Sequence, residues 1–251
     1  EWLRNLGQKL NLKVWIKTST DQLHNLSVQG PNSRKLLSKI IWTPPANPDV
    51  NDLKWFHFSI SRLHDHLGAP VMLSRTGYTG ELGFELYCHP KDGLKVWDAL
   101  WETGKEFELV PMGFAALDML RTEAGLILGG NEFSDETDPF EAGIGFTVPL
   151  KTKEANFIGK EAFIKRKENP HRKLVGLEIE GNEKVNQGDC VHIDRGQVGT
   201  ITSGIISPIL NKNIALCRID IHSSEIGTKV EVGKLDGHQK RISATIVNFP
   251  F

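Results

Sequence analysis

The sequence predicts an α+β chain: a larger part, residues 1–166, in which helices and strands mix, then a small all-β part, residues 167–251. Three observations predict it. Apolar residues recur at helical spacing in several stretches of the first part, with short alternating runs between them. From Leu174 onward, short alternating runs follow one another at intervals of roughly ten residues. Between the two textures lies Lys165-Arg166-Lys167-Glu168-Asn169-Pro170-His171-Arg172-Lys173, a charged, proline-containing stretch that reads as a solvated linker.

Taken in order, residues 2–12 read as a short helix carrying Leu3, Leu6 and Leu10. Residues 23–28 form a strand ended by Gly30-Pro31, and Pro31 suits the first turn of a helix reaching Ile41, because its missing N–H costs nothing there. Thr43-Pro44-Pro45-Ala46-Asn47-Pro48 excludes regular structure. Phe56, Phe58 and Ile60 alternate as a strand, as does Val71-Met72-Leu73. A helix over 91–104 places Leu94, Trp97, Leu100 and Trp101 on one side, and Gly104 stops it. Another runs over 113–124. Strand candidates 174–179, 190–193, 198–201, 214–219, 229–232 and 243–247 indicate a small barrel or sandwich.

Composition narrows the function classes. The chain is 39% hydrophobic and 24% charged with a net charge of −1, which gives no basic footprint for nucleic acid. No apolar run approaches a bilayer span, and Glu1-Trp2-Leu3-Arg4 does not open as a signal peptide. Cys88, Cys190 and Cys217 form neither a disulfide framework nor a metal-ligand spacing. Together these features predict a cytoplasmic protein acting without membrane or nucleic acid. His64-Asp65-His66 looks metal-like, but spacing places no third ligand, so it reads as a surface loop with no metal. Nucleophile-elbow, phosphate-loop and dinucleotide fingerprints are lacking.

The most informative stretch is Arg75-Thr76-Gly77-Tyr78-Thr79-Gly80-Glu81-Leu82-Gly83-Phe84-Glu85-Leu86-Tyr87. Its glycines read as tight turns, and residues 83–87 then alternate, with Phe84 and Leu86 on one face and Glu85 and Tyr87 on the other. A carboxylate on a rigid strand beside a glycine turn suits a flat ligand; taken alone, the segment reads first as a solvated hairpin with a surface glutamate. Asp118 and Arg121, spaced i, i+3, share a helix face.

This stretch resembles the signature of the glycine-cleavage T-protein family, the tetrahydrofolate-dependent aminomethyltransferases. Further stretches match in the family's order: Leu26-Ser27-Val28-Gln29-Gly30-Pro31, Ala116-Leu117-Asp118-Met119-Leu120-Arg121-Thr122-Glu123-Ala124-Gly125-Leu126, Asp138-Pro139-Phe140-Glu141-Ala142-Gly143-Ile144-Gly145-Phe146-Thr147-Val148, and Phe157-Ile158-Gly159-Lys160-Glu161. The resemblance implies a folate-binding domain over 1–166 and a C-terminal barrel over 167–251. It implies tetrahydrofolate as cofactor and transfer of a one-carbon unit to it from an aminomethyl or methyl donor. A dihydrolipoyl carrier (H) protein is the partner in glycine cleavage, and sister families demethylate N-methyl, methoxy or methylthio compounds.

Residue by residue, Glu85 matches the glutamate that holds the pterin, since a carboxylate accepts two parallel hydrogen bonds from that ring's donor edge. Tyr78 reads either as a ligand contact or as core. Phe146 stands where the family often has tryptophan and either walls the folate cavity or packs in an apolar strand. Arg121 matches a family arginine that either touches the ligand or is buried against acidic partners. Asn131-Glu132 falls where the family has polar residues that could line a cavity floor, which makes Glu132 a candidate substrate contact. Both ends look cut relative to the family, and the catalytic aspartate would lie upstream of Glu1. The chain also departs from the family at Leu117, where aminomethyltransferases carry an arginine that contacts folate; a charged hydrogen bond of that kind is worth about 1.5–3 kcal/mol. A non-enzymatic folate-binding regulator or iron–sulfur-assembly factor on the same scaffold would carry a cysteine motif in the region of residues 156–161, and none is there.

Overall fold

A computed structural model describes residues 1–154, 156–235 and 240–251. They separate into two compact units, one comprising Glu1–Gly77 and Glu81–Pro111, the other Tyr78–Gly80 and Met112–Phe251. The architecture is α+β, with antiparallel strand pairing throughout the named sheets.

The first unit begins with α1 (Trp2–Lys9) and is built on a five-stranded sheet. Its strands are β1 (His24–Gln29), β2 (Ile41–Trp42), β3 (Phe58–Leu63), β4 (Pro70–Ser74) and β5 (Gly83–Cys88), in the order β1-β5-β4-β3-β2. Two helices, α2 (Ser33–Ile40) and α3 (Gly93–Gly104), cover one face. There Val28, Leu73, Phe84 and Leu86 from the strands meet Leu36, Leu37, Ile40, Val96 and Leu100 from the helices, all buried. Removing this much apolar surface from water, at about 25 cal/mol per Å², is what holds the layers together.

Alternation then fixes what the other face presents. Two cross-strand rows run across it: Phe58, Ser74, Glu85 and Ser27, and beside them Ile60, Met72, Tyr87 and Asn25. Phe58 and Ile60 remain 60% and 54% exposed.

The second unit carries α4 (Phe114–Glu123), α5 (Lys160–Glu168) and a closed barrel. Its strands are β6 (Arg172–Ile179), β7 (Cys190–Ile193), β8 (Gly196–Ser207), β9 (Lys212–Asp220), β10 (Lys229–Gly233) and β11 (Arg241–Val247), ordered β10-β11-β6-β9-β8-β7. Val175, Leu177, Val191, Ile201, Cys217, Ile219, Val232 and Ile246 fill its interior. Closure removes the free edges that an open sheet of short strands would expose.

Several sequence expectations are corrected. The expected linker at 165–173 begins as the last turn of α5, because Lys165, Arg166 and Lys167 at a helix C-terminus complement the helix dipole; Pro170 then bars continuation. On α3 the buried side is Val96 and Leu100, whereas Leu94 is exposed and Trp97 stacks on Trp101 at 5.9 Å between ring centroids. Phe56 takes a left-handed φ of 59°, so β3 starts two residues later than its apolar alternation suggests. Phe146 lies in a 3-10 turn, Gly145–Thr147, not in a strand.

Candidate functional site

The side chain of Gln29 bridges the glycine turn before β5. Gln29 at the end of β1 donates through Nε2 to the carbonyls of Thr76 and Phe84, both at 3.3 Å. A Cβ added to Gly77 or Gly83 would fall 2.0 or 1.7 Å from Gln29 Oε1, so glycine is required for the amide to bridge the turn. The bridge sets where β5 begins and hence which face Glu85 occupies.

On that face Glu85 is half-buried and organised by its neighbours. Asn25 Nδ2 donates to Glu85 Oε1 at 2.8 Å, and the Thr76 hydroxyl donates to Oε2. Burial, then the neighbouring Glu85 charge, raises the Tyr87 phenol above its ordinary value. Each carboxylate oxygen offers about two acceptor positions, so the two donors leave room on both oxygens for ligand N–H groups. Phe58, Ile60 and Met72 continue the two rows as an apolar strip beside the carboxylate. A flat heterocycle with a donor edge fits such a surface, since ring and edge find different partners there.

The second unit holds a different constellation. Arg121 on α4 is 1% exposed and Glu132 is 0% exposed. All five guanidinium N–H groups have acceptors. Nε and Nη2 reach Asp118 Oδ1 at 2.8 and 2.6 Å, Nη1 reaches Glu132 Oε2 at 2.7 Å and the Leu126 carbonyl at 3.2 Å, and Nη2 reaches Ser203 Oγ at 2.6 Å. Glu132 in turn accepts from the Leu128 amide at 2.8 Å, Thr202 Oγ1 at 2.8 Å and Ser203 Oγ at 2.6 Å. Successive strand residues normally point to opposite faces. Thr202 and Ser203 both reach one carboxylate because β8 has a bulge between Ile201 and Ser203.

Tyr78 belongs to the same unit, and its hydroxyl donates to the Ile127 carbonyl. Burial raises its phenol above the ordinary value; Arg121 opposes the shift, and Glu132 and Asp118 add to it. The structure thus brings Tyr78, Arg121 and Glu132 together. Glu85 belongs to the first unit, and Phe146 is 86% exposed on its turn with no part in these bonds. Leu117 is half-buried on α4. His64-Asp65-His66 is an exposed loop after β3, and the described residues contain no group of three or more His, Cys, Asp or Glu able to hold a metal. No described helix is long and apolar enough to cross a membrane.

Sequence reasoning missed Asn25, Thr76 and Tyr87. Tyr87 was accessible through its i, i+2 relation to Glu85; Asn25 lies sixty residues from its partner and carried no local signal.

Two family models match this chain: the GCVT N-terminal domain over residues 1–152 and the glycine cleavage T-protein C-terminal barrel domain over 172–251. A trimethylamine-oxide aldolase of Ruegeria pomeroyi is 59% identical over 249 residues, covering 99% of this chain and 32% of that protein. An aminomethyltransferase of Bacillus cytotoxicus is 41% identical over 233 residues, covering 92% of this chain and 61% of that protein. Among solved structures, the glycine cleavage system aminomethyltransferase T of Bartonella henselae superposes with a TM-score of 0.76 at 26% identity, covering 91% of this chain and 59% of that one. The chain therefore spans between about a third and two thirds of the length of these relatives.

Proposed function

Because the chain belongs to the glycine cleavage T-protein family, we propose that it is the tetrahydrofolate-binding part of a one-carbon transferase, with Glu85 holding the pterin. The observation that carries this reading is the Glu85 carboxylate, fixed by Asn25 and Thr76 on the sheet face turned away from α2 and α3, which also carries Phe58, Ile60 and Met72. When bound, tetrahydrofolate would supply the nitrogen that takes up the one-carbon unit. The chain's own residues bind and orient it. Charge-assisted hydrogen bonds from the pterin edge to Glu85 set the ring's direction, and the apolar strip excludes water from one side. In this reading residues 1–166 form the folate part and 167–251 its supporting barrel. Arg121, Glu132 and Tyr78 fix the inner end of α4 and the following loop, and Phe146 offers an exposed aromatic wall.

The donor is the finer question. Aminomethyl transfer from a lipoyl carrier (H) protein is one candidate. The likeness to a trimethylamine-oxide aldolase, together with Leu117 in place of the aminomethyltransferase arginine, favours a one-carbon unit derived from an N-methyl compound. The mass balance is consistent: trimethylamine N-oxide less formaldehyde leaves dimethylamine. The test supplies the chain and tetrahydrofolate with formaldehyde in one reaction and an aminomethyl-loaded carrier protein in another. Faster consumption of formaldehyde than in a chain-free control, with no gain from the carrier, supports the N-methyl route. The reverse supports aminomethyl transfer, and no gain from either refutes transferase activity for this chain.

A further inference from the structure

A cavity of about 210 Å³ lies in the second unit, against the outer wall of the barrel. One side is the β8–β9 wall, with Thr200 and Arg218 directly opposite each other in register; the other is the loop carrying Asn131 and Ser134. Cys217 and Ile219 point into the barrel core, so strand alternation sends Arg218 outward. Of the described residues lining the cavity, Arg218 alone is ionisable.

Arg218 is only half used by the protein. Its Nη1 donates to Thr137 Oγ1 at 2.9 Å and to the Glu132 carbonyl at 3.5 Å. Those bonds anchor one corner of the guanidinium. Among the described residues, Nε and Nη2 have no acceptor. The contrast with Arg121, whose five N–H groups are all paired, is direct. The Thr200 hydroxyl beside it is likewise unpaired among the described residues, and Gln187, fixed to the Gly130 carbonyl at 2.7 Å, closes the rim with an amide. An anchored guanidinium presenting a free edge to a polar cavity is the arrangement that takes a carboxylate through two parallel bonds. The volume, below that of a drug-sized pocket, limits the ligand to a small molecule.

We propose that this cavity is a binding site for a small carboxylate, held by the free edge of Arg218 with Thr200 and Gln187 as further polar partners. The site stands independently of the assignment of Glu85 to the pterin, because Glu85, Asn25 and Thr76 lie outside it. The bulge in β8 that feeds Thr202 and Ser203 to Glu132 also shapes this wall.

The test follows backbone amide resonances of the full chain during titration with N-acetylglycine, with neutral N-acetylglycinamide and inorganic phosphate as separate arms. The proposal expects saturable shifts at Gly130, Gly188 and Thr200 with N-acetylglycine only. Arg218→Gln should weaken binding at least tenfold, and Arg218→Lys, which keeps the charge but not the fork, should weaken it several-fold; the spectra report whether each variant is folded. Equal binding by the neutral amide, stronger binding of phosphate, unchanged binding by Arg218→Lys, or no saturable shift in the wild type would each overturn it.

Discussion

Arg121 and Glu132 form an ion pair at 2.7 Å with both side chains closed to water, and every guanidinium N–H is occupied. Desolvating two charges is expensive, and the surrounding bonds offset that cost only while both partners are present. Arg121→Met should therefore destabilise the second unit by about 3–5 kcal/mol, whereas the double variant Arg121→Met/Glu132→Leu should recover much of the loss. Denaturant unfolding of the four proteins in the cycle checks this. A loss in the double variant equal to the sum of the two single losses would mean that the pair is not coupled.

Gly83 is the tightest point of the turn. Gly83→Ala places a methyl against the Gln29 amide and should cost about 1–3 kcal/mol while also weakening folate binding, because the register of β5 sets Glu85. Adding Gln29→Ala should relieve the clash and restore part of the stability, though not the bridge. Thermal melts and a folate titration on the wild type and the two variants measure both effects.

How far the sequence could be read follows from the range of the interactions. The strand phase of residues 83–87 was legible, because alternation is local, and so were the barrel strands and the helix bearing Arg121. The partners of Glu85 were not: Asn25 and Thr76 meet it only after β1 and the turn are folded beside β5. Glu132 read as a cavity residue for the same reason. Its burial depends on Thr202 and Ser203, some seventy residues later, and on a bulge that no local pattern announces. The charge run at the end of α5 hid a helix turn, because the polar pattern of a solvated helix end and that of a linker are alike.

Tyr87 stands on the same face of β5 as Glu85, two residues away, and the Glu85 charge helps to raise its phenol, so its hydroxyl is placed to compete with a ligand's ring edge for the carboxylate. Tyr87→Phe should accordingly tighten tetrahydrofolate binding by a few-fold while leaving the apolar row intact. Calorimetric titration checks it, and weaker binding would make the hydroxyl a ligand contact instead.

Alkaline stability should be limited by groups buried in their neutral forms. Burial pushes the Cys217 thiol up to about 12 from the ordinary 9.0, and the Tyr78 and Tyr87 phenols are also raised. For a raised folded value the stabilisation is complete below the unfolded value and is lost as pH rises through the folded one. Stability should thus hold to about pH 9 and fall towards pH 12, by up to roughly 4 kcal/mol for Cys217 alone. Unfolding midpoints against pH for wild type and Cys217→Ala test this; the variant's slope above pH 9 should be shallower, and identical slopes would contradict the assignment.

The central claim is that Glu85 holds a pterin. Calorimetric titration of the folded chain with tetrahydrofolate, beside Glu85→Gln, tests it most directly. The account predicts binding by the wild type and a loss of at least about tenfold in the variant, equivalent to 1.4 kcal/mol. Equal affinity in the two proteins, or no binding by a folded wild type, would contradict it.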